Sequence, residues 1–157
     1  MGHEAADREA DTWLDRLGLN GFGDRYPRHV SGGQRKRIAL AQVLAREPKL
    51  ILMDEPFASL DAIVRARVVR DVVALVERER ISVLLVTHDL EEAISLSDVV
   101  YLLSGGPRAH IIQSYDVSIP RPRDPVKSRL HPAFTPLHAR LWEDLSQEVD
   151  HCVGAAA

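Results

Sequence analysis

Leu50-Ile51-Leu52-Met53-Asp54-Glu55-Pro56 is the stretch on which the fold turns. Its four apolar residues are too few for a buried helix, and they end on two carboxylates and a proline. The run therefore reads as a parallel strand buried on both faces. A helical pattern from about Ala62 to Arg80 follows, with Ile63, Val64, Val68, Val72, Leu75 and Val76 facing inward. Ile81 to Val86 is a second buried strand, and Leu90 to Leu96 a short helix. Strand, helix and strand in that order, with unbroken apolar strands, predict an α/β fold with right-handed crossovers.

Working outward, residues 4–17 carry Ala5, Ala6, Ala10, Trp13, Leu14 and Leu17 on one helical face, and Gly18, Gly21 and Gly23 break it. Ser31 begins a second helix as N-cap, with Gln34 three residues on in a capping-box pattern, and Pro48 prevents its continuation. Within that helix Arg35-Lys36-Arg37 reads as a solvated face. Downstream, Val99 to Leu103 and Ala109 to Gln113 flank a Ser104-Gly105-Gly106-Pro107 turn, a hairpin at the sheet margin. Pro120-Arg121-Pro122-Arg123-Asp124-Pro125 reads as an extended linker stiffened by its prolines. A last helix from about Pro136 to Val149 sets Leu137, Leu141, Leu145 and Val149 in register.

The bulk properties exclude several classes. With 20 basic against 23 acidic residues the formal net charge is −3, so no clustered basic excess marks the chain for nucleic acid. One cysteine, Cys152, permits no internal disulfide. No apolar run approaches the ~18 residues that span a bilayer, so any membrane association is expected to go through a protein partner.

Three places carry chemistry. Asp54 and Glu55 sit at the C-terminal end of a buried strand, where open α/β sheets bind ligands. Mg2+ favours one or two carboxylates plus waters and phosphate oxygens, which suits Asp54. Glu55 is placed to polarise an attacking water in phosphoryl transfer. The plain alternative is an acidic turn leading into the next helix. Ser31-Gly32-Gly33-Gln34 opens a helix, whose N–H groups and dipole favour phosphate; the alternative is an ordinary cap. His88, in Thr87-His88-Asp89 after the second strand, can donate a hydrogen bond to a phosphate, or be structural.

Taken together, these motifs resemble the nucleotide-binding subunits of ABC transporters. Ser31-Gly32-Gly33-Gln34 matches the family's signature motif, with Val30 where leucine is usual, and Arg37, Ala41 and Pro48 fit the signature helix. Leu50 to Glu55 matches the Walker B strand and catalytic glutamate, Ala58-Ser59-Leu60-Asp61 the D-loop, and His88 the switch histidine. The resemblance covers roughly residues 10 to 115. It implies part of a P-loop NTPase-like fold: a helical subdomain segment at 1–48, a RecA-like α/β portion at 49–118, and a linker with a C-terminal helix at 119–157. It implies ATP and Mg2+ as ligands, with Glu55 and His88 catalytic, Ser31, Gly32, Gly33, Gln34 and Asp61 at the nucleotide, and Asp54 on Mg2+ through water. It also implies a second ATPase subunit paired head to tail, and a permease that holds the chain on the inner face of the membrane. Asp54-Glu55-Pro56-Phe57, Asp61-Ala62 and Ile119-Pro120-Arg121-Pro122-Arg123 look most like importers for nitrate, sulfonates and taurine.

The family's phosphate loop, G-x-x-x-x-G-K-[ST], does not occur in the sequence, whose three lysines are Lys36, Lys49 and Lys127. The expectation is a chain that begins inside the helical subdomain, exposes a sheet edge, and hydrolyses ATP negligibly alone. Two other readings stand beside this one. A DNA-repair or chromosome-maintenance ATPase would carry a long heptad run before the signature, and none is present. A non-catalytic module lending its signature face to a partner is disfavoured by the presence of Glu55 and His88.

Overall fold

The computed structural model describes residues 3–58, 60 and 62–154; for residues 3–6, 27, 64 and 151–154 it describes the backbone alone. Ser59, Asp61 and the side chain of Val64 lie outside the described set. The chain divides into two compact units, Met1–Val86 and Thr87–Ala157.

In the first unit, α1 (His3–Arg16) and α2 (Gly32–Leu44) precede β1 (Leu50–Asp54), α3 (Ala62–Glu79) and β2 (Ser82–Val86), with a 3-10 turn at Pro27–His29. The expected helix–turn–helix and strand–helix–strand order is present. β1 and β2 pair in parallel from Leu50↔Ser82 to Asp54↔Val86. Trp13, Leu17, Leu19, Ala41, Leu44, Ile51 and Leu75 form the core. Gly18, at φ +68, ends α1 in the left-handed conformation that glycine adopts without penalty. Arg37 then ties the helices together, donating to the Leu17 carbonyl at 3.3 Å and lying 3.6 Å from Asp71 of α3.

Two expectations fail here. β1 and β2 are not buried on both faces: Ile51 is 5% exposed, but Leu52 is 70%, Leu84 53% and Val86 50%. Among the described residues the sheet has two strands, and only the side bearing Ile51 joins the helical core. Ile63, placed inward by the sequence pattern, is 85% exposed, whereas Val68, Val69, Val72 and Leu75 are buried. At ~100° per residue, a position five before Val68 lies ~140° around the helix from it.

The second unit runs α4 (Leu90–Leu96), β3 (Val99–Leu103), β4 (Ile111–Asp116), a 3-10 turn at Lys127–Leu130, and α5 (Phe134–Gly154). β3 and β4 form the expected hairpin as a separate antiparallel pair, with a register shift between Leu102 and Leu103. β4 starts later than expected and runs past Gln113 to Asp116. Ile94, Val100, Leu102, Tyr115, Val117, Ile119, Phe134 and Leu141 make its core. α5 starts two residues before Pro136, because a proline is tolerated in a helix's first turn. Leu141 is fully buried and Leu137 and Leu145 partly so, but Val149 is 52% exposed. At that level the helix meets the polar hairpin loop, where Glu148 accepts the Gly105 N–H at 3.0 Å.

The 120–125 segment is not a free linker. Arg123 is buried, and it donates to the carbonyls of Ile119 at 2.8 Å, Val117 at 3.2 Å and Ser97. Arg121 donates to both carboxylate oxygens of Asp98, at 2.9 and 3.1 Å. The prolines set the backbone; the arginines fasten it to the hairpin.

Tyr115 supplies a pH-dependent element. Its hydroxyl donates to Asp144, and burial, reinforced by that carboxylate, pushes its pKa up to about 12. An unfolded tyrosine titrates near ~10, so this contribution to stability is complete below that pH and is lost as pH rises towards 12. Melting temperature is therefore expected to drop over this alkaline range, and Tyr115→Phe to remove that component of the drop. An identical alkaline profile in the variant would refute the assignment.

Candidate functional site

Ser31 enters α2 in an extended conformation at φ −66, ψ 164. Its hydroxyl oxygen accepts the Gln34 N–H at 3.3 Å, and the Gln34 carboxamide oxygen accepts the Ser31 N–H at 2.8 Å. The capping box expected from the sequence is complete, and Gln34 spends its side-chain acceptor on it. Ser31 and Gly32 are exposed and Gly33 is buried. A Cβ on Gly32 would meet no described atom within 4 Å, and its φ is not in the left-handed region. The chain's own packing therefore does not require glycine there, and the backbone stays open to a ligand's close approach. Gly32→Ala is expected to leave the melting temperature unchanged or raise it, by up to about 1 kcal/mol of stability. Gly18→Ala, at φ +68, is expected to lose about 1–2 kcal/mol. A destabilised Gly32→Ala would show that the first turn is closed by packing after all.

At the other end of the first unit, Asp54 is exposed at the last position of β1 and Glu55 is half-buried just beyond it. Glu55 has φ +44, a conformation a side chain costs about 1–3 kcal/mol to hold and one concentrated at functional turns. Two backbone bonds keep it there: Glu55 N–H to the Val86 carbonyl at 2.9 Å, and Ala58 N–H to the Glu55 carbonyl at 3.3 Å. No sequence signal announces the positive φ, since glutamate is not a residue that favours it.

The basic triplet is not a solvated face. Arg35 donates to the Val30 carbonyl at 3.1 Å, and Arg37 to that of Leu17. Lys36 donates to the carbonyls of Pro56 and, at 2.9 Å, Ala58. Three consecutive helical residues point ~100° apart, so they could not have shared one face; that geometry was the available clue. Lys36 thereby links the helix that begins at Ser31 to the turn that follows Glu55.

His88 belongs to the second unit and is exposed. Thr87 and Asp89 beside it are engaged in starting α4. The Asp89 carboxylate accepts the N–H groups of Glu91 at 3.0 Å and Glu92 at 3.1 Å, and Thr87 donates to the Glu92 carboxylate at 3.0 Å. Asp61, expected at the nucleotide, lies outside the described residues. Asp54 offers one exposed strand-end carboxylate, a donor that fits a Mg2+ ion completed by water and phosphate oxygens.

Residues 2–58 match the family model described as ABC transporter. An aliphatic sulfonates import ATP-binding protein of Nocardia farcinica is 42% identical over 154 residues, covering 98% of this chain and 59% of its own length. A nitrate import ATP-binding protein of Synechococcus elongatus is 38% identical over 135 residues, covering 86% of this chain and 20% of its own. Over nearly its whole length the chain is similar to ATP-binding proteins of ABC transporters. It spans three-fifths or less of these relatives. Among solved structures, a metal-chelate type ABC transporter in an inward-facing conformation aligns with TM-score 0.62 and 30% identity over 66% of this chain and 41% of that one. A dimeric ATP-binding cassette in a post-hydrolysis state, bound to ADP and Pi, gives TM-score 0.61 and 28% identity over 74% and 49%. The fold is thus part of an ABC ATPase.

Proposed function

We propose that this chain supplies the signature helix and the hydrolytic strand end of an ATPase that drives import of a small anion, of the kind handled by its nitrate, bicarbonate and sulfonate relatives. The observation that carries the reading is the first turn of α2, capped by the Ser31–Gln34 box yet open over Gly32. Its N–H groups and dipole, with Ser31, Gly32, Gly33 and Gln34, would face the phosphates of an ATP seated on a second subunit. Asp61 would join them from the neighbouring loop. Glu55 would take up the proton of the water that attacks the terminal phosphorus, ADP leaving on the far side, and His88 would donate to the phosphoryl oxygens. Mg2+, held at Asp54 through water, would supply charge neutralisation on the phosphates.

The partners in this reading are a second ATPase subunit, paired head to tail, and a membrane-embedded permease. No described helix is long and apolar enough to cross a membrane, so attachment to its inner face would come through the permease. The sulfonate, nitrate and bicarbonate import relatives favour this over a DNA-repair ATPase.

The sequence holds no phosphate-loop motif, so the 157-residue chain by itself is proposed to bind ATP weakly and hydrolyse it negligibly. The test measures Mg2+-dependent ATP hydrolysis by the chain alone and mixed with the phosphate-loop-bearing N-terminal segment of a sulfonate-import relative. Activity in the mixture only is the expected result. Hydrolysis by the chain alone would overturn the division of labour. Silence in both, from a chain that melts cooperatively, would overturn the catalytic reading.

A further inference from the structure

We propose that Lys36 is a positioning residue, one that holds the turn carrying Glu55 in register with the phosphate-facing start of α2. Its side chain leaves α2 one turn after Ser31-Gly32-Gly33-Gln34 and reaches two carbonyls of the irregular segment after β1, Pro56 and Ala58. Glu55 is held at φ +44 by one good backbone bond to Val86 and one long bond from Ala58. Partly buried carbonyls in such a turn need donors from elsewhere, and an ammonium carries three N–H groups on a flexible stem. Arg35 and Arg37, on either side, donate instead to Val30 and Leu17, while Lys36 is the member of the triplet that reaches the Glu55 turn.

The consequence is mechanical. Ser31 to Gln34 and Lys36 share one rigid, capped helix, so a shift of the helix start on meeting a phosphate is passed to the carbonyls one and three residues after Glu55. A general base must reach its water within hydrogen-bond distance, and small misplacements cost heavily in rate. Lys36 acts on the reaction through Glu55 and touches no reacting atom itself.

Backbone hydrogen exchange of the full chain tests the coupling without reference to ATP. Lys36→Met keeps the length and removes the donors. The amides of Glu55, Phe57 and Ala58 are expected to exchange about tenfold faster in the variant, with amides 38–44 of α2 unchanged, and Lys36→Arg to restore most of the protection. A second arm rests on the ATPase reading above. In the mixture with the phosphate-loop segment, Lys36→Met is expected to lower kcat at least about tenfold with little change in KM. Unchanged exchange at 55–58 overturns the proposal. Loss of protection in α2 as well overturns it in favour of a general structural role. Altered exchange with unchanged kcat overturns the catalytic part, and an inactive wild-type mixture refutes the ATPase reading while leaving the exchange result to stand or fall alone.

Discussion

Glu55→Gln is expected to lower Mg2+-dependent hydrolysis by the mixed assembly about a thousandfold, the middle of the range for removing a general base, while ATP binding persists. The substitution is close to isosteric, so the turn is kept and only the ability to accept a proton is removed. The backbone gives an independent check on this interpretation. Glu55 has φ +44, which any side chain adopts at a cost, so Glu55→Gly should raise stability by about 1 kcal/mol, and Glu55→Gln should not. Greater stability with abolished hydrolysis in the glycine variant would mark the position as one where strain serves placement. A glutamine variant retaining more than about a tenth of the wild-type rate would instead remove Glu55 from the base role and leave the strand end as a structural turn.

What could be read from the sequence follows from how local each interaction is. The Ser31–Gln34 box involves two side chains and two backbone groups three residues apart, so its pattern suffices. The order of β1, α3 and β2 was equally legible, because apolar periodicity encodes element type. Burial was less so. Leu52 and Leu84 have the composition of core-strand residues, yet half or more of each is exposed, since an apolar run states what a strand can bury and not which layers cover it. Lys36 and Arg123 escaped for a related reason. Charged residues in a basic triplet or among prolines read as solvated, and only the tertiary fold reveals the backbone carbonyls awaiting them. The positive φ of Glu55 left no trace in composition at all.

The two arginines around Pro122 should behave very differently, and the contrast tests how the second unit is built. Arg123→Ala is expected to cost about 3–5 kcal/mol, read as a large fall in melting temperature. The side chain is almost wholly inaccessible, and removing it strands the carbonyls of Ile119, Val117 and Ser97 away from water. Arg121→Ala is expected to cost less than about 1 kcal/mol. Its two-pronged bond to Asp98 is well formed and holds that carboxyl below the usual carboxylate range, but the side chains are 40% and 66% exposed and water screens the pair. Arg123→Lys should rescue little, because a point charge cannot serve three carbonyls spread around a planar fork. A lysine variant within about 1 kcal/mol of wild type would show that charge rather than geometry holds the segment. The Ile119-Pro120-Arg121-Pro122-Arg123 stretch looks like small-anion importers. Its buried arginine closes the hairpin against the residues before α5, so that part of the likeness records a packing solution and carries no information about the cargo.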